Sequence, residues 1–177
     1  PKHLGFVFSR YKFVSKMFLG KKSVLEIGAS DGWLSRIVKQ NVKELTVSDF
    51  DPEFIKFGKK LYSKKYPTKF ILHDMTKNFT KKKYDAIYAL DVLEKIPKKK
   101  ENIFIKNIVK SMNPTGVLIL GCPSIESQRY TNPKQQGHVN CKSGKEFKSF
   151  LESFFSNVFL FSMNDEVLHT GFEKMSH

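Results

Sequence analysis

The sequence predicts an α/β protein, a three-layer sandwich in which helices cover both faces of a doubly wound, mostly parallel β-sheet. From Val24 to Leu120, short apolar runs alternate with longer amphipathic segments across short connections, which is typical of parallel strands joined by helices. The first of these runs ends in a glycine turn, and later runs end in acidic residues. At this length the chain has the size of one domain, which we assign to residues 1–177.

The first strand and the turn after it are the most informative segment. Residues 24–32 read Val-Leu-Glu-Ile-Gly-Ala-Ser-Asp-Gly, and helical apolar spacing follows. A strand that turns sharply into a helix directs backbone N–H groups at a ligand, and glycine permits the bend and the close approach. A dinucleotide fingerprint requires G-x-G-x-x-G, and Gly28 is the only one of its glycines found here. The pattern that fits is acidic-x-Gly-x-x-x-Gly, from Glu26, Gly28 and Gly32.

Acidic residues also follow the next strands. The second strand, Leu45 to Ser48, leads into Asp49, where a carboxylate can accept hydrogen bonds from both hydroxyls of a ribose. The third and fourth strands, Phe70–Leu72 and Tyr84–Leu90, run into further acids. Amphipathic spacing predicts helices in four places. They are Ser30–Gln40, Pro52–Lys65, Lys98–Met112 and Ser143–Phe154.

These strand ends resemble a known family. The turn is similar to the first motif of class I S-adenosylmethionine-dependent methyltransferases, D/E-x-G-x-G-x-G, with Ser30 in place of the middle glycine. Residues 91–97, Asp-Val-Leu-Glu-Lys-Ile-Pro, resemble the D-V-x-E-H-I segment of the small-molecule group, which includes the methyltransferases of ubiquinone biosynthesis. Residues 112–116 resemble the L-x-P-G-G turn before the fifth strand. The resemblance runs from about Arg10 onward and implies S-adenosylmethionine as cofactor.

The resemblance also implies a role for each strand end. The turn would position the methionine part of the cofactor, Asp49 the ribose, and Asp74 with Met75 the adenine. Lys95 stands where the family has histidine, and because a lysine is a poor metal ligand we expect no metal site. The expected cofactor-binding residues are Glu26, Gly28, Ala29, Ser30, Asp31, Gly32, Asp49, Phe50, Asp74, Met75, Leu90 and Asp91.

The sheet order implied by the family is 3-2-1-4-5-(7)-6, with the last strand antiparallel. Residues Val158–Met163 supply the sixth strand. Only Phe172–His177 remain for the seventh, and they are short and polar. We therefore expect the last strand to be missing or truncated.

The acceptor is expected on the side formed by residues 121–142, a long polar loop after the fifth strand. Within it, Gly-His-Val-Asn resembles the family's G-H-x-N/R element, and His138 is the candidate general base because its pKa lies near neutrality. Alternatively, His138 only ties the loop down through a hydrogen bond. Residues 1–20, which are rich in aromatic side chains, form an N-terminal cap helix region, in which Arg10 either pairs with a carboxylate or is solvated. The candidate substrate-binding residues are Arg10, Tyr11, Glu126, Tyr130, Asn140 and His169.

Composition limits the alternatives. The net charge of +14 is compatible with nucleic-acid binding. Only three of the 31 basic residues are arginine, the best phosphate and base reader, and the lysines are spread along the chain, so nucleic acid is not favoured. Cys122 and Cys141 have neither disulfide nor zinc spacing, which suits a cytoplasmic enzyme. No apolar run reaches the length of a membrane span, and no secretory signal is visible.

The sequence therefore predicts methyl transfer to an oxygen or nitrogen of a small or medium-sized acceptor. An acidic, sugar-linked or lipid-linked acceptor would suit the basic surface. Three alternatives remain: a nucleic-acid methyltransferase, an aminopropyl transferase, for which we find no acidic cluster, and a cofactor-binding pseudoenzyme, for which Ser30 and Lys95 are the relevant departures. The sequence does not decide the oligomeric state.

Overall fold

The computed structural model describes residues 2–61, 66–130, 137–164 and 167–170, with the backbone alone at 2–3, 129–130, 164 and 167–170. Two short 3-10 helices span Leu93–Lys95 and Ser127–Tyr130. The helices are α1 (Lys2–Met17), α2 (Ser35–Lys39), α3 (Pro52–Lys60), α4 (Lys98–Lys110) and α5 (Gly144–Glu152). The strands are β1 (Ser23–Ile27), β2 (Glu44–Asp49), β3 (Thr68–Leu72), β4 (Tyr84–Leu90), β5 (Met112–Gly121), β6 (Phe161–Asn164) and β7 (Val167–Thr170).

Strands β1 to β5 form one parallel sheet in the order β3-β2-β1-β4-β5, which confirms the predicted fold class and the order of its first five strands. In the central pairings, Leu25 lies opposite Thr46 on one side and Ile87 on the other. Because all five strands point the same way, the segments that follow β1, β2, β3 and β4 emerge at one edge of the sheet. The site is built at that edge.

The end of the chain differs from the expected closure. Strand β6 begins at Phe161 rather than Val158, and it pairs with β7 in a separate antiparallel hairpin. Within the described residues, this hairpin is not joined to the five-stranded sheet. The residues predicted for the seventh strand, 172–177, lie outside the described part of the chain.

Helices α2 to α5 all end before the predicted residue, α3 at Lys60 instead of Lys65, and two of the boundary differences have local reasons. Helix α2 begins at Ser35 instead of Ser30, because Ser30 and Gly32 have φ angles of 54° and 70°, which no right-handed helix accommodates. Helix α4 ends at Lys110, two residues before the predicted end, since Met112 already starts β5. Helix α5 is held by a capping box between Ser143 and Glu146.

The core consists of two clusters on opposite faces of the sheet, since alternate residues of a strand point to opposite sides. One cluster joins Leu25 and Ile87 to α4 and α5. The other joins Val24 and Tyr88 to α2 and α1, so that α1 lies flat on the face of β1 and β4. This arrangement is the predicted three-layer sandwich. In the described part of the chain, no helix has both the length and the apolarity that a membrane span requires.

The close packing of α3 against the sheet gives a first prediction. A Cβ at Gly58 would lie 2.5 Å from Phe70 Cε1 and 2.6 Å from the backbone oxygen of Asp31. We therefore expect Gly58→Ala to lower the free energy of unfolding by about 1–3 kcal/mol, which exceeds the gain in helix propensity. The measurement is urea unfolding followed by circular dichroism.

The matched control is Gly5→Ala in α1, where an added Cβ meets no atom within 4 Å. Here helix propensity acts alone, and we expect the free energy of unfolding to rise by about 0.5–1 kcal/mol. Shifts of the same sign in both variants would contradict the tight contact between α3, Phe70 and the turn after β1.

Candidate active site

The turn after β1 has an unusual backbone. Gly28, Ser30 and Gly32 have φ angles of 70°, 54° and 70°. Among the described residues, Ser30 and Asp91 are the only non-glycine positions with positive φ, and they follow the two central strands. Such backbone strain is concentrated at functional sites, where the surrounding structure maintains it. The strained turns at this edge of the sheet therefore indicate a functional site and do more than connect a strand to the next helix.

The amide groups of this turn are largely used within the protein. Gly28 and Ala29 both donate to the carbonyl of Ser48, at 2.9 and 3.1 Å. Ser30 donates to Oδ2 of Asp49 at 2.9 Å. Contrary to the expectation from the sequence, these three amides therefore do not point at a ligand. They donate to the end of β2, which holds the turn in place. Helix α2, at five residues, adds no long helix dipole here.

The buried carboxylate of Asp49 connects this turn to the next one. Its two oxygens each accept one backbone N–H, from Ser30 at 2.9 Å and from Asp51 at 3.0 Å. A carboxylate offers about four acceptor positions, so two remain for hydroxyl groups. Beside it, Phe50 is 72% exposed and Leu72 is 58% exposed. An acceptor for a diol next to open apolar surface fits the nucleoside part of S-adenosylmethionine.

The two residues predicted for the adenine site occupy different environments. Asp74 accepts from the backbone N–H and the hydroxyl of Thr76, at 2.9 and 2.7 Å, and so forms a local turn. Met75 is buried in the core, and its carbonyl accepts from Asn107. The side chain of Met75 therefore lies in the core rather than on the surface that a ligand would contact.

Glu26 and Tyr11, predicted for the cofactor and the substrate, contact each other instead. The hydroxyl of Tyr11 donates to one oxygen of Glu26 at 2.8 Å, and that of Tyr88 donates to the other at 2.6 Å. Burial raises the pKa of Glu26 and the pKa of both tyrosines. All three groups are enclosed between α1 and the sheet, where they anchor the helix.

One turn of α1 reaches the end of β4. Arg10 Nη1 lies 2.5 Å from Oδ1 of Asp91. Asp91 follows Leu90, and its amide donates to Gly121 at 2.8 Å. Opposite charges in contact at the carboxyl edge of the sheet match the ammonium and carboxylate groups of an amino acid. The pair fits the methionine end of S-adenosylmethionine.

On the other side of Asp91 lies a buried acid that the sequence analysis did not select. Glu94 is fully buried, and neither of its carboxylate oxygens has a hydrogen-bond partner within the described chain. Burial raises the pKa of Glu94 to about 7. His138 Nε2 and Lys95 Nζ each lie 3.9 Å from Oε1 of Glu94. In the sequence, Glu94 could have been selected because it matches the glutamate of the family's D-V-x-E-H-I segment.

His138 is held by the polar loop as well as by Glu94. Its Nδ1 lies 2.9 Å from Oε1 of Gln128, and the next two amides, of Val139 and Asn140, donate to the carbonyl of Glu94. Burial lowers the pKa of His138, so the ring is neutral at pH 7. Both predicted roles, base and loop anchor, are compatible with this position.

The remaining candidates are dispersed. Glu126 has a buried oxygen, Oε2, without a partner in the described chain. Asn140 donates to Glu101 at 2.7 Å and accepts from Lys142 at 2.9 Å, which makes it part of a structural ion-pair cluster. The side chains of Tyr130 and His169 lie outside the described residues. Asp31 accepts from the amide of Trp33 and closes the turn locally.

Other chemistry at this site has little support. Burial raises the pKa of Cys122 to about 12 and raises that of Cys141, so neither thiol forms the nucleophilic thiolate readily. Among the described residues, no group of three or more histidine, cysteine or acidic side chains is arranged to hold a metal ion.

A groove of about 1560 Å³ leads from Arg10, Asp91 and His138 along β5 to Phe161. Its walls are mainly apolar side chains of α1, β5 and α5. Asp91, directly after β4, lines the groove. A molecule in the groove would therefore reach the same edge of the sheet as the predicted cofactor-binding turns.

The raised pKa of Glu94 gives a prediction for stability. A folded-state pKa of about 7, compared with 4.5 for an unperturbed carboxyl, means that stability is fully present below pH 4.5 and is lost as the pH rises through 7. The loss amounts to about 3 kcal/mol. We expect Glu94→Gln to gain stability relative to wild type, by this amount, as the pH rises from about 4 to about 8. Thermal unfolding across this range measures it.

The control is Glu146→Gln, which removes an exposed carboxylate whose pKa is lowered by hydrogen bonds from Ser143. A lowered pKa places its pH dependence below 4.5, so its difference from wild type should be constant above about pH 5.5. A Glu94→Gln difference that is equally constant would contradict the burial of an ionisable acid at this position.

Comparisons with known proteins agree with this geometry. The family model described as "Methyltransferase domain" matches residues 25–120. The N-methyltransferase NodS from Bradyrhizobium japonicum WM9 is similar in structure, with 21% identity and a TM-score of 0.67 over 91% of this chain and 89% of that one. A complex of DhpI with S-adenosylhomocysteine gives 15% identity and a TM-score of 0.63, over 84% and 76% of the two chains.

The carbon methyltransferase CurJ gives 17% identity and a TM-score of 0.63, over 82% of this chain and 44% of that one. Among curated proteins, no sequence matches. The family model covers more than half of the chain, and the order of the five parallel strands is that of the family's fold. The chain therefore belongs to the class I methyltransferases, the enzymes that use S-adenosylmethionine as methyl donor.

Proposed function

We propose that this methyltransferase transfers the methyl group to an oxygen or nitrogen of a small or medium-sized acceptor. The supporting observation is the position of His138, which lines the same end of the groove as Arg10 and Asp91. A neutral imidazole beside the predicted methionine site can take the proton that the acceptor loses. The cofactor supplies the activated methyl group, and the protein supplies alignment and exclusion of water.

The cofactor would lie along the carboxyl edge of the sheet. Asp49 would accept from the ribose hydroxyls, and the exposed surfaces of Phe50 and Leu72 would cover the adenine. Arg10 would hold the carboxylate of the methionine end and Asp91 its ammonium group. The free acceptor positions of Asp49 and the Arg10–Asp91 contact support this placement.

The groove supports an acceptor with an extended apolar part. Its volume, about 1560 Å³, exceeds that of most small-molecule sites. Lys95 and Lys148, both about half exposed, line it together with apolar residues, so an acidic group on a sugar-linked or lipid-linked acceptor would be attracted to it. The name of NodS, an N-methyltransferase, is consistent with a nitrogen acceptor.

Cofactor binding tests the first part of this proposal. We expect micromolar affinity for S-adenosylhomocysteine by isothermal titration, and a loss of at least tenfold in Asp49→Ala, because hydrogen bonds to a charged acceptor are removed. The control is Asp85→Asn, at the opposite edge of the sheet, where the carboxylate contacts Ser23 and Asn113. This variant should bind like wild type. A folded wild-type chain that does not bind would contradict the proposal.

The role of Arg10 can be separated from that of Asp49 by a truncated ligand. Methylthioadenosine contains the nucleoside and the sulfur but lacks the carboxylate and the ammonium group. We expect Arg10→Gln to weaken S-adenosylhomocysteine about tenfold, through loss of a charge-assisted contact, and to leave methylthioadenosine unchanged. Asp49→Ala should weaken both ligands. Equal losses for both ligands in Arg10→Gln would contradict a contact with the methionine end.

A further inference from the structure

The inference concerns the pair formed by Glu94 and His138, and it rests on the proposed function. Glu94 is fully buried in the 3-10 helix after β4, and its two oxygens lack hydrogen-bond partners in the described chain. Leaving a buried carboxylate without donors is costly whether it is charged or neutral. The nearest polar ring atom is Nε2 of His138, 3.9 Å away. This gap is too long for a hydrogen bond and short enough to close by a small side-chain rotation.

The other side of the imidazole indicates its tautomer. Nδ1 lies 2.9 Å from the amide oxygen of Gln128, and an amide oxygen only accepts. With the amide in this orientation, in which Gln128 Nε2 donates to Ser127 Oγ at 3.3 Å, the hydrogen belongs on Nδ1 and the lone pair of Nε2 faces Glu94. A protonated Glu94 complements this lone pair, whereas an ionised Glu94 repels it. In this resting state Nδ1, the nitrogen that faces Gln128 of the loop, has no lone pair to accept a proton.

Several other charged or titratable groups surround Glu94. Lys95 lies 3.9 Å away but is more than half exposed, and Asp91 is already paired with Arg10. Their charges oppose each other, so they favour neither state of Glu94 strongly. Among the described residues, the titratable and charged groups that interact with it are Arg10, Asp91, Lys95, Cys122, His138 and Cys141. His138 differs from the other five because its partly buried ring connects Glu94 to the loop that lines the groove.

We propose that Glu94 is a positioning residue that sets the tautomer of His138 and thereby decides whether His138 can act as base. When Glu94 loses its proton to solvent, the hydrogen of the imidazole moves to Nε2 and is donated to the new carboxylate. Nδ1 then presents a lone pair, and the oxygen of Gln128 has lost its donor. The acceptor displaces the Gln128 amide and takes its place beside Nδ1. The acceptor's proton passes to Nδ1 as the bond from acceptor to methyl carbon forms and the carbon–sulfur bond breaks, with its electron pair remaining on sulfur.

The test needs no knowledge of the acceptor. Long-range ¹H–¹⁵N spectra of the imidazole report which nitrogen carries the hydrogen, with His138→Gln used to assign the signal. In wild type we expect the neutral imidazole to change from the Nδ1–H to the Nε2–H tautomer as the pH rises through the Glu94 pKa of about 7. In Glu94→Gln, whose side chain does not titrate, the tautomer of the neutral ring should be the same at every pH. Glu101→Gln, another buried acid, should behave like wild type.

The outcomes separate this inference from the proposed function. A His138 tautomer that does not change with pH in wild type overturns the inference, even if Glu94→Gln fails to fold. A switch that survives in Glu94→Gln overturns it as well, because another group must then control it. Titration of S-adenosylhomocysteine on the same samples tests the proposed function independently. Binding without the switch rejects only the role of Glu94, and a switch without binding rejects only the cofactor site.

Discussion

The site depends on the hydrogen bonds that the buried carboxylate of Glu26 accepts. It lies at the end of β1 and accepts from Tyr11 of α1 and Tyr88 of β4, so that one acid joins three elements. Because two hydroxyl donors satisfy it, its burial is tolerated in an otherwise apolar layer. The same contact fixes the rotation and height of α1, and Arg10, the neighbour of Tyr11, thereby reaches Asp91. Glu26, a residue of the first motif, therefore supports the site indirectly, by holding α1 in place.

The parallel sheet then determines where the chemistry can occur. Turns after four strands meet at one edge, and the acid at the end of β2 holds the turn after β1 through the amide of Ser30. Serine at the middle position of the motif is accommodated at a φ of 54°. The carboxylate of Asp49 thus maintains a strained turn, and in the proposed cofactor site its remaining acceptor positions would bind the ribose hydroxyls.

The protein is strongly basic outside and acidic inside its acceptor region. Most lysines are exposed, while Glu94 and one oxygen of Glu126 are enclosed without partners in the described chain. Surface charge attracts acidic molecules at long range, whereas in the proposed mechanism the buried acid Glu94 would act on protons at short range. The net charge of +14 gives no information about the interior.

The sequence by itself determined the fold class and the turns that form the cofactor edge, because strand period, glycine turns and strand-end acids are local properties. The order of the first five strands came from the resemblance to the family, since no local pattern specifies which strands are neighbours. The sequence also selected His138 and Asp91. It placed Glu26 and Tyr11 at ligands and overlooked Glu94, since the partners of a buried polar group come from distant segments. Only the tertiary structure decided that Tyr11 contacts Glu26 across the core and that Glu94 faces His138. Burial and long-range contact set the state of an acid, and neither is encoded in its neighbours along the chain.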